Sequence, residues 1–247
     1  MAFAKKTKAP DPNAPVADQL IPIELETIYL RLVGDTPLIC NAWSEKARNM
    51  MRQKQQKTGL KAHKAKSPEE DFRASLYVHH VDEATKQTVY GFKTVAFKAA
   101  AVTALSQCDG GLTKVRARGA FHIGDAGSAA ELVPIESPSA PTMREDPVRV
   151  ATGTADLRYR GEFWPWAVTL KVRFNRRSVS AAQLVSLFNL AGFACGIGDW
   201  RPEKDGINGQ FHVEPAIGED NIVVLEAIRA SARQIGHSLD EQPERAA

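Results

Sequence analysis

Between Glu24 and Val33 the apolar residues Leu25, Ile28, Leu30 and Leu32 predict a strand, which runs into Gly34-Asp35-Thr36-Pro37 and then Leu38-Ile39. Leu76-Tyr77-Val78 and Thr88-Val89-Tyr90 read as the arms of a hairpin with Asp82–Lys86 at its tip. From Thr94 the spacing of Val95, Phe97, Val102 and Leu105 changes to that of a helix, ending near Asp109-Gly110-Gly111. Ala167–Phe174 alternates apolar and polar with period two, as a half-exposed strand does. Ser180-Ala181-Ala182-Gln183 is a capping box; it opens a helix with Leu184, Val185, Leu187, Phe188 and Leu190 inward and Gly192 in the C′ role. Gly196–Gly209 follows as a glycine-rich loop leading to a strand at Gln210–Glu214, and 221–235 reads as a last helix.

Two stretches break this rhythm. After Ser44 a helix over 46–66 carries Lys46, Arg48, Arg52, Lys54, Lys57, Lys61, Lys64 and Lys66, and Ser67-Pro68-Glu69-Glu70 restarts a short helix. Residues 112–160 are rich in Gly, Pro, Ser and Ala and have too little periodicity for a packed layer, so they read as a protruding insertion. Strand–helix–strand units with hairpins predict an α+β fold, with a ferredoxin-like (RRM-like) core and helices on one face. The expected organisation is a flexible basic, proline-rich arm over 1–20, one domain over 21–235 and a disordered tail over 236–247.

Composition narrows the function classes. No run approaches the ~18 apolar residues of a membrane span, so no membrane partner is expected. Cys40, Cys108 and Cys195 form no CxxC pair, which argues against structural zinc and for a reducing, cytoplasmic compartment. The net charge of +3 is mild, so its distribution says more than its sum. Lys114, Arg116 and Arg118 are spaced two apart and would share a face if extended; Arg158 with Arg160, and Lys171 with Arg173, repeat the spacing. Tyr159, Phe163, Trp164 and Trp166 stand nearby and can either stack on bases or pack a hairpin end.

The glycine loop is preceded by a helix and followed by a strand, the reverse of a P-loop, and lacks Gly-Lys-Ser/Thr. Its glycines would let the backbone approach a bulky partner while Arg201 and Lys204 supply charge. For catalysis, His79 and His80 on a strand would point to opposite faces, and His122 has no partner that the sequence brings to it. No catalytic residues, no metal site and no cofactor are expected.

Three segments then carry a resemblance. These are the strand into Gly34–Ile39, the strand end and helix start Tyr90–Ala100, and the helix followed by Gly196-Ile197-Gly198 through Gly206 and Gly209. In this order they resemble the RAMP superfamily, in particular the backbone subunits of CRISPR effector complexes. The chain departs from the family pattern at Lys93–Ala99 and reads as a divergent, phage- or prophage-encoded relative. The resemblance implies that Lys98 matches the family lysine, that Gly196, Gly198, Gly206 and Gly209 match its loop, and that 112–160 stands where the thumb-like insertion stands. It also implies single-stranded nucleic-acid binding, RNA slightly preferred, by a homo-oligomer, helical in form. Lys98, Arg116, Arg118, Arg158, Arg160, Arg201 and Lys204 are the expected phosphate contacts. A phage protein that coats and anneals single-stranded DNA, a virion structural protein and a histidine-dependent endoribonuclease are the alternatives.

Overall fold

The computed structural model describes residues 23–42, 49, 51–52, 55, 67–83, 86–108, 111–124, 131–149 and 155–214. The fold is mixed α and β, with antiparallel sheets. The basic helix expected over 46–66 falls within the described residues only at Asn49, Met51, Arg52 and Gln55, which are helical. The arm, the helix expected over 221–235 and the tail lie outside them.

The main sheet has the order β10-β1-β9-β5. It joins β1 (Leu25–Gly34), β5 (Phe121–Ile123), β9 (Ala167–Asn175) and β10 (Phe211–Val213). Every pairing in it is antiparallel, and the β1–β9 ladder runs without a break from Leu25↔Asn175 to Val33↔Ala167. Period-two alternation decides which side is inside. Leu30 and Leu32 of β1 and Val168, Leu170, Val172 and Phe174 of β9 are buried. They face α2 (Thr94–Ala104) and α4 (Ala181–Ala194), whose Phe97, Ala101, Leu184 and Phe188 are buried in the same cluster. Edge-to-face contacts tie the layers: Phe97 meets Phe211 at 6.0 Å and Phe121 meets Phe188 at 6.1 Å between centroids. Among the described residues, helices cover one face of this sheet, and on the other Thr27, Tyr29 and Arg173 are exposed.

The predicted caps are present. Ser67 accepts from the Glu70 amide with Pro68 at the first helical position of α1 (Pro68–Ser75), and Ser180 and Gln183 make both bonds of a capping box at α4. Gly192, expected beyond the end of α4, lies inside it. A Cβ there would overlap the carbonyl oxygen of Phe211, so the glycine lets β10 lie directly on the helix. Gly192→Ala is expected to lower the thermal midpoint by forcing β10 away, at a cost of about 1–3 kcal/mol, read by differential scanning calorimetry.

The stretch 112–160 departs from expectation. Its first part belongs to the core: α3 (Lys114–Ala120) buries Ala117 and Ala120, and Phe121 opens β5 at the sheet edge. Short segments conceal this, because a seven-residue helix and a three-residue strand give little periodicity to read. β6 (Leu132–Pro134) adds to the hairpin of β3 (Val78–Val81) and β4 (Thr88–Lys93) in a sheet ordered β3-β4-β6. β7 (Thr142–Arg149) and β8 (Ala155–Phe163) form a long hairpin that joins β2 (Leu38–Cys40) in the order β2-β8-β7. No helix among the described residues is long and apolar enough to cross a membrane.

Candidate nucleic-acid interface

On the face of the main sheet opposite the helices, the outward residues of β1 are Thr27, Tyr29, Arg31 and Val33, opposite Arg173, Lys171, Thr169 and Ala167 of β9. Tyr29 stands in the middle of the sheet and is 62% exposed. The Lys171 ammonium lies over its ring, 5.9 Å from the centroid. A tyrosine facing water on a central strand adds nothing to the core, so its ring is available for stacking.

A line of cations leads from Tyr29 to the edge of the sheet. Arg173 lies opposite Thr27 on one side and His122 on the other. Lys98, on α2, reaches around the edge strand: its Nζ donates to the Arg118 carbonyl at 2.9 Å and stands 3.3 Å from His122 Nδ1. Burial pushes the Lys98 ammonium pKa down. Burial, then the charges of Lys98 and Arg173, hold His122 below the ordinary histidine value. Arg173, Arg116 and Arg118 make no ion pair among the described residues. Arg31 is bound by Glu136 and Glu214, Arg176 by Glu26 and Arg177 by Glu24, so those three arginines contribute little net charge. Of the described arginines on this face, the one without an ion pair, Arg173, thus stands on the β5 side of β1.

This assembly follows only part of the predicted set. Lys98 reaches the short helix that carries Arg116 and Arg118, at the Arg118 carbonyl, but 114–120 is helical, not extended, so spacing by two does not align the two arginine side chains. Lys171 and Arg173 keep the outward alternation. Tyr29 carries no local signal beyond its place among the polar positions of an alternating strand, and its central, exposed position emerges only once β1 is found between β10 and β9.

The other expected contacts lie elsewhere. Arg158 is exposed on β8. Arg160, two residues on, is 2% exposed. It is paired with Asp146 at 3.1 Å and Asp199 at 2.7 Å, with its Nε buried and without a partner. A buried arginine between two carboxylates is not a phosphate contact; it fastens the β7–β8 hairpin to the glycine loop. Arg144 extends the cluster to Asp146 and Glu162, both at 2.8 Å. Arg201 donates to Gly198 O and pairs with Glu203. Lys204 is exposed on a short 3₁₀ turn, Pro202–Lys204.

The loop glycines serve the chain's own packing. At Gly209 the backbone has φ +68° and a Cβ would overlap the Ile197 carbonyl; at Gly206 it would overlap the Trp200 carbonyl. Gly196 and Gly198 are likewise occupied, against Pro202 and the Ile39 carbonyl. The expectation that they hold space open for a partner is therefore replaced by a rigid, self-packed loop. It is pinned by Asp199 N to Ile39 O at 3.0 Å and Gly209 N to Pro37 O at 2.8 Å. It presents Trp200 to solvent, half exposed and with φ +56°.

The three segments singled out in the sequence converge here. Asn41, two residues after the first, Lys93, Ala96 and Ala100 of the second, and Gly196–Asp199 of the third line a cavity of about 360 Å³. Its charged lining residues are Lys93, Arg201, Asp199 and Glu203, with Arg201 paired to Glu203 at 2.7 Å, so the two signs balance. Of the aromatics 163–166, Phe163 and Trp166 are core residues, and Trp166 Nε1 donates to Thr36 O at 2.8 Å. Trp164 is exposed.

The expectation for His79 and His80 also changes. The β3–β4 register slips between Val78 and His80, and the two rings meet with Nδ1 atoms 2.7 Å apart. No group of three or more metal-ligating side chains occurs among the described residues. Comparison of the chain with protein-family models and with curated proteins finds no match to either.

Proposed function

We propose that the chain binds single-stranded nucleic acid, RNA in preference to DNA, without transforming it, and that it is a divergent, phage- or prophage-encoded protein of RAMP type acting in the cytoplasm. The observation that carries this reading is the run from Tyr29 through Lys171, Arg173 and His122 to Lys98, whose Nζ bonds the Arg118 carbonyl on the short helix that also carries Arg116. A sheet face with an exposed ring beside cations suits unstacked bases and a flexible backbone; duplex grooves need a protruding element instead. The proposed core is ferredoxin-like. Its support is the order of elements β1, α2, β5, β9, α4, β10 with the sheet order β10-β1-β9-β5, which is that of a split βαβ pair. The β7–β8 hairpin is proposed as the thumb-like insertion, and several copies are proposed to line up along one strand.

The test is fluorescence anisotropy with unstructured RNA and DNA oligonucleotides over a salt series. Affinity that falls steeply with salt supports the reading, with RNA the tighter ligand. Tighter DNA binding with faster annealing of complementary strands moves it to a coating and annealing protein. Particles without salt-sensitive affinity for either would replace it by a virion component. Tyr29→Ala is expected to weaken binding by about 1–3 kcal/mol and leave the salt slope unchanged, because stacking releases no counterions.

A pH dependence follows from His122. A bound phosphate favours the imidazolium, so the histidine pKa rises in the complex, and affinity should increase as pH falls through the histidine range. Before binding the sign is opposite for folding: a depressed histidine pKa means that acid costs stability. His122→Gln should flatten the affinity profile in the same anisotropy assay.

The 3.3 Å contact between Lys98 and His122 favours a second reading, in which this pair cleaves RNA as general base and general acid. RNA recovered intact after long incubation disposes of it.

A further inference from the structure

We propose that His79 and His80 form a two-nitrogen site for a divalent transition-metal ion, with copper(II) the tightest ligand. Neighbouring residues of a regular strand point to opposite faces, so a His-His pair there is split. Here the register reads Val78↔Tyr90 and then His80↔Val89, which leaves one extra residue on β3. That is a β-bulge, and a bulge re-aims side chains. It brings the two rings to 4.9 Å between centroids at 70°, with Nδ1 facing Nδ1 at 2.7 Å. Space for the re-aimed ring comes from β4: a Cβ at Gly91 would stand 3.2 Å from the Cβ of His79.

Two imidazole nitrogens bound to one ion at ~2.0–2.1 Å and near a right angle lie ~2.9 Å apart. Opening the pair by a few tenths of an ångström and turning the exposed ring therefore brings the two nitrogens to the separation that one ion needs. In the metal-free pair the 2.7 Å contact holds one proton, one Nδ1 donating and the other accepting. The ion displaces that proton from Nδ1, and the donor ring carries it on its own Nε2 instead, so both rings bind through Nδ1 with no net proton release. Imidazole suits copper, nickel and zinc, and the order of divalent affinities puts copper(II) first. β3 is an outer strand of its sheet and His80 is exposed, so the pair is open to solvent. No third protein ligand gathers among the described residues, so water completes the coordination and the ion exchanges readily.

Titration calorimetry of the full chain with copper(II), in a weakly coordinating buffer, tests the site. One equivalent should bind in the micromolar range, and His79→Ala and His80→Ala should each weaken it at least tenfold. Copper electron paramagnetic resonance should show two equatorial nitrogens in the parent and one in His80→Gln. That variant removes an exposed ring, and its unchanged metal-free circular dichroism would show that it folds. Equal affinity in the parent and either single variant would show that the rings act independently and would overturn the proposal. So would a copper spectrum unaltered in His80→Gln.

Discussion

Replacing Arg160 by methionine is expected to lower the unfolding free energy by about 3–5 kcal/mol, read as a shift of the urea midpoint. The arginine itself is buried, and its two carboxylate partners come from separate parts of the chain: Asp146 from the edge strand of the β7–β8 hairpin and Asp199 from the glycine loop. Among the described residues, removing the guanidinium leaves Asp146 with Arg144, and Asp199 with two neutral donors, the Asn41 amide at 3.1 Å and the Trp200 backbone N–H at 3.2 Å. The loss is thus mainly the cost of carboxylates left behind. This makes a further expectation specific: adding Asp199→Asn to Arg160→Met should recover part of the loss, because one stranded charge disappears. A double-mutant cycle with no coupling between the two positions would contradict this account. Methionine is the appropriate replacement, since it keeps volume and isolates the charge.

The second large effect concerns binding. The triple variant Arg116→Ala, Arg118→Ala, Arg173→Ala should lose about 100-fold in affinity for single strands near 0.1 M salt. For single strands each phosphate contact contributes ~0.7 to the slope of log affinity against log salt, so three contacts amount to about 2. Salt titration by anisotropy reads both numbers together. A slope reduced by about 2 with a proportionate loss, equal for all base sequences, identifies these arginines as backbone contacts. An unchanged slope would remove the band from the interface. Arg31→Ala is the matched control: it lies on the same face but is held by Glu136 and Glu214, so its removal should leave the slope unaltered.

How much of this was legible beforehand depended on element length. β1, β9 and α4 are long enough to display their periodicity, and the capping box at Ser180 marked its helix start without ambiguity. The region from Lys114 to Ile123 failed because its helix spans seven residues and its strand three, and both take their places from long-range packing. Gly192 shows the same limit: a glycine near the end of an apolar run reads as a helix stop, yet the space it supplies is filled by the Phe211 carbonyl, known only once β10 is placed. Arg160 and Arg158 are indistinguishable as a period-two pair; burial separates them, and burial comes from Asp146 and Asp199. For the histidines at 79 and 80, a bulge overrides alternation, and nothing local announces it.

The position of β1 has a consequence for synthesis on the ribosome. It is made early, but its partners are residues 167–175 on one side and 211–213 on the other. Leu30 and Leu32 therefore wait for most of translation before their covering strand and helices exist. Pairings of such sequence separation form slowly, and unpaired strands exposed in the meantime aggregate. The nascent chain should thus be a better client of chaperones than the finished protein. A chain stopped before Phe211 should remain soluble less well than one carried through Glu214, which completes β10.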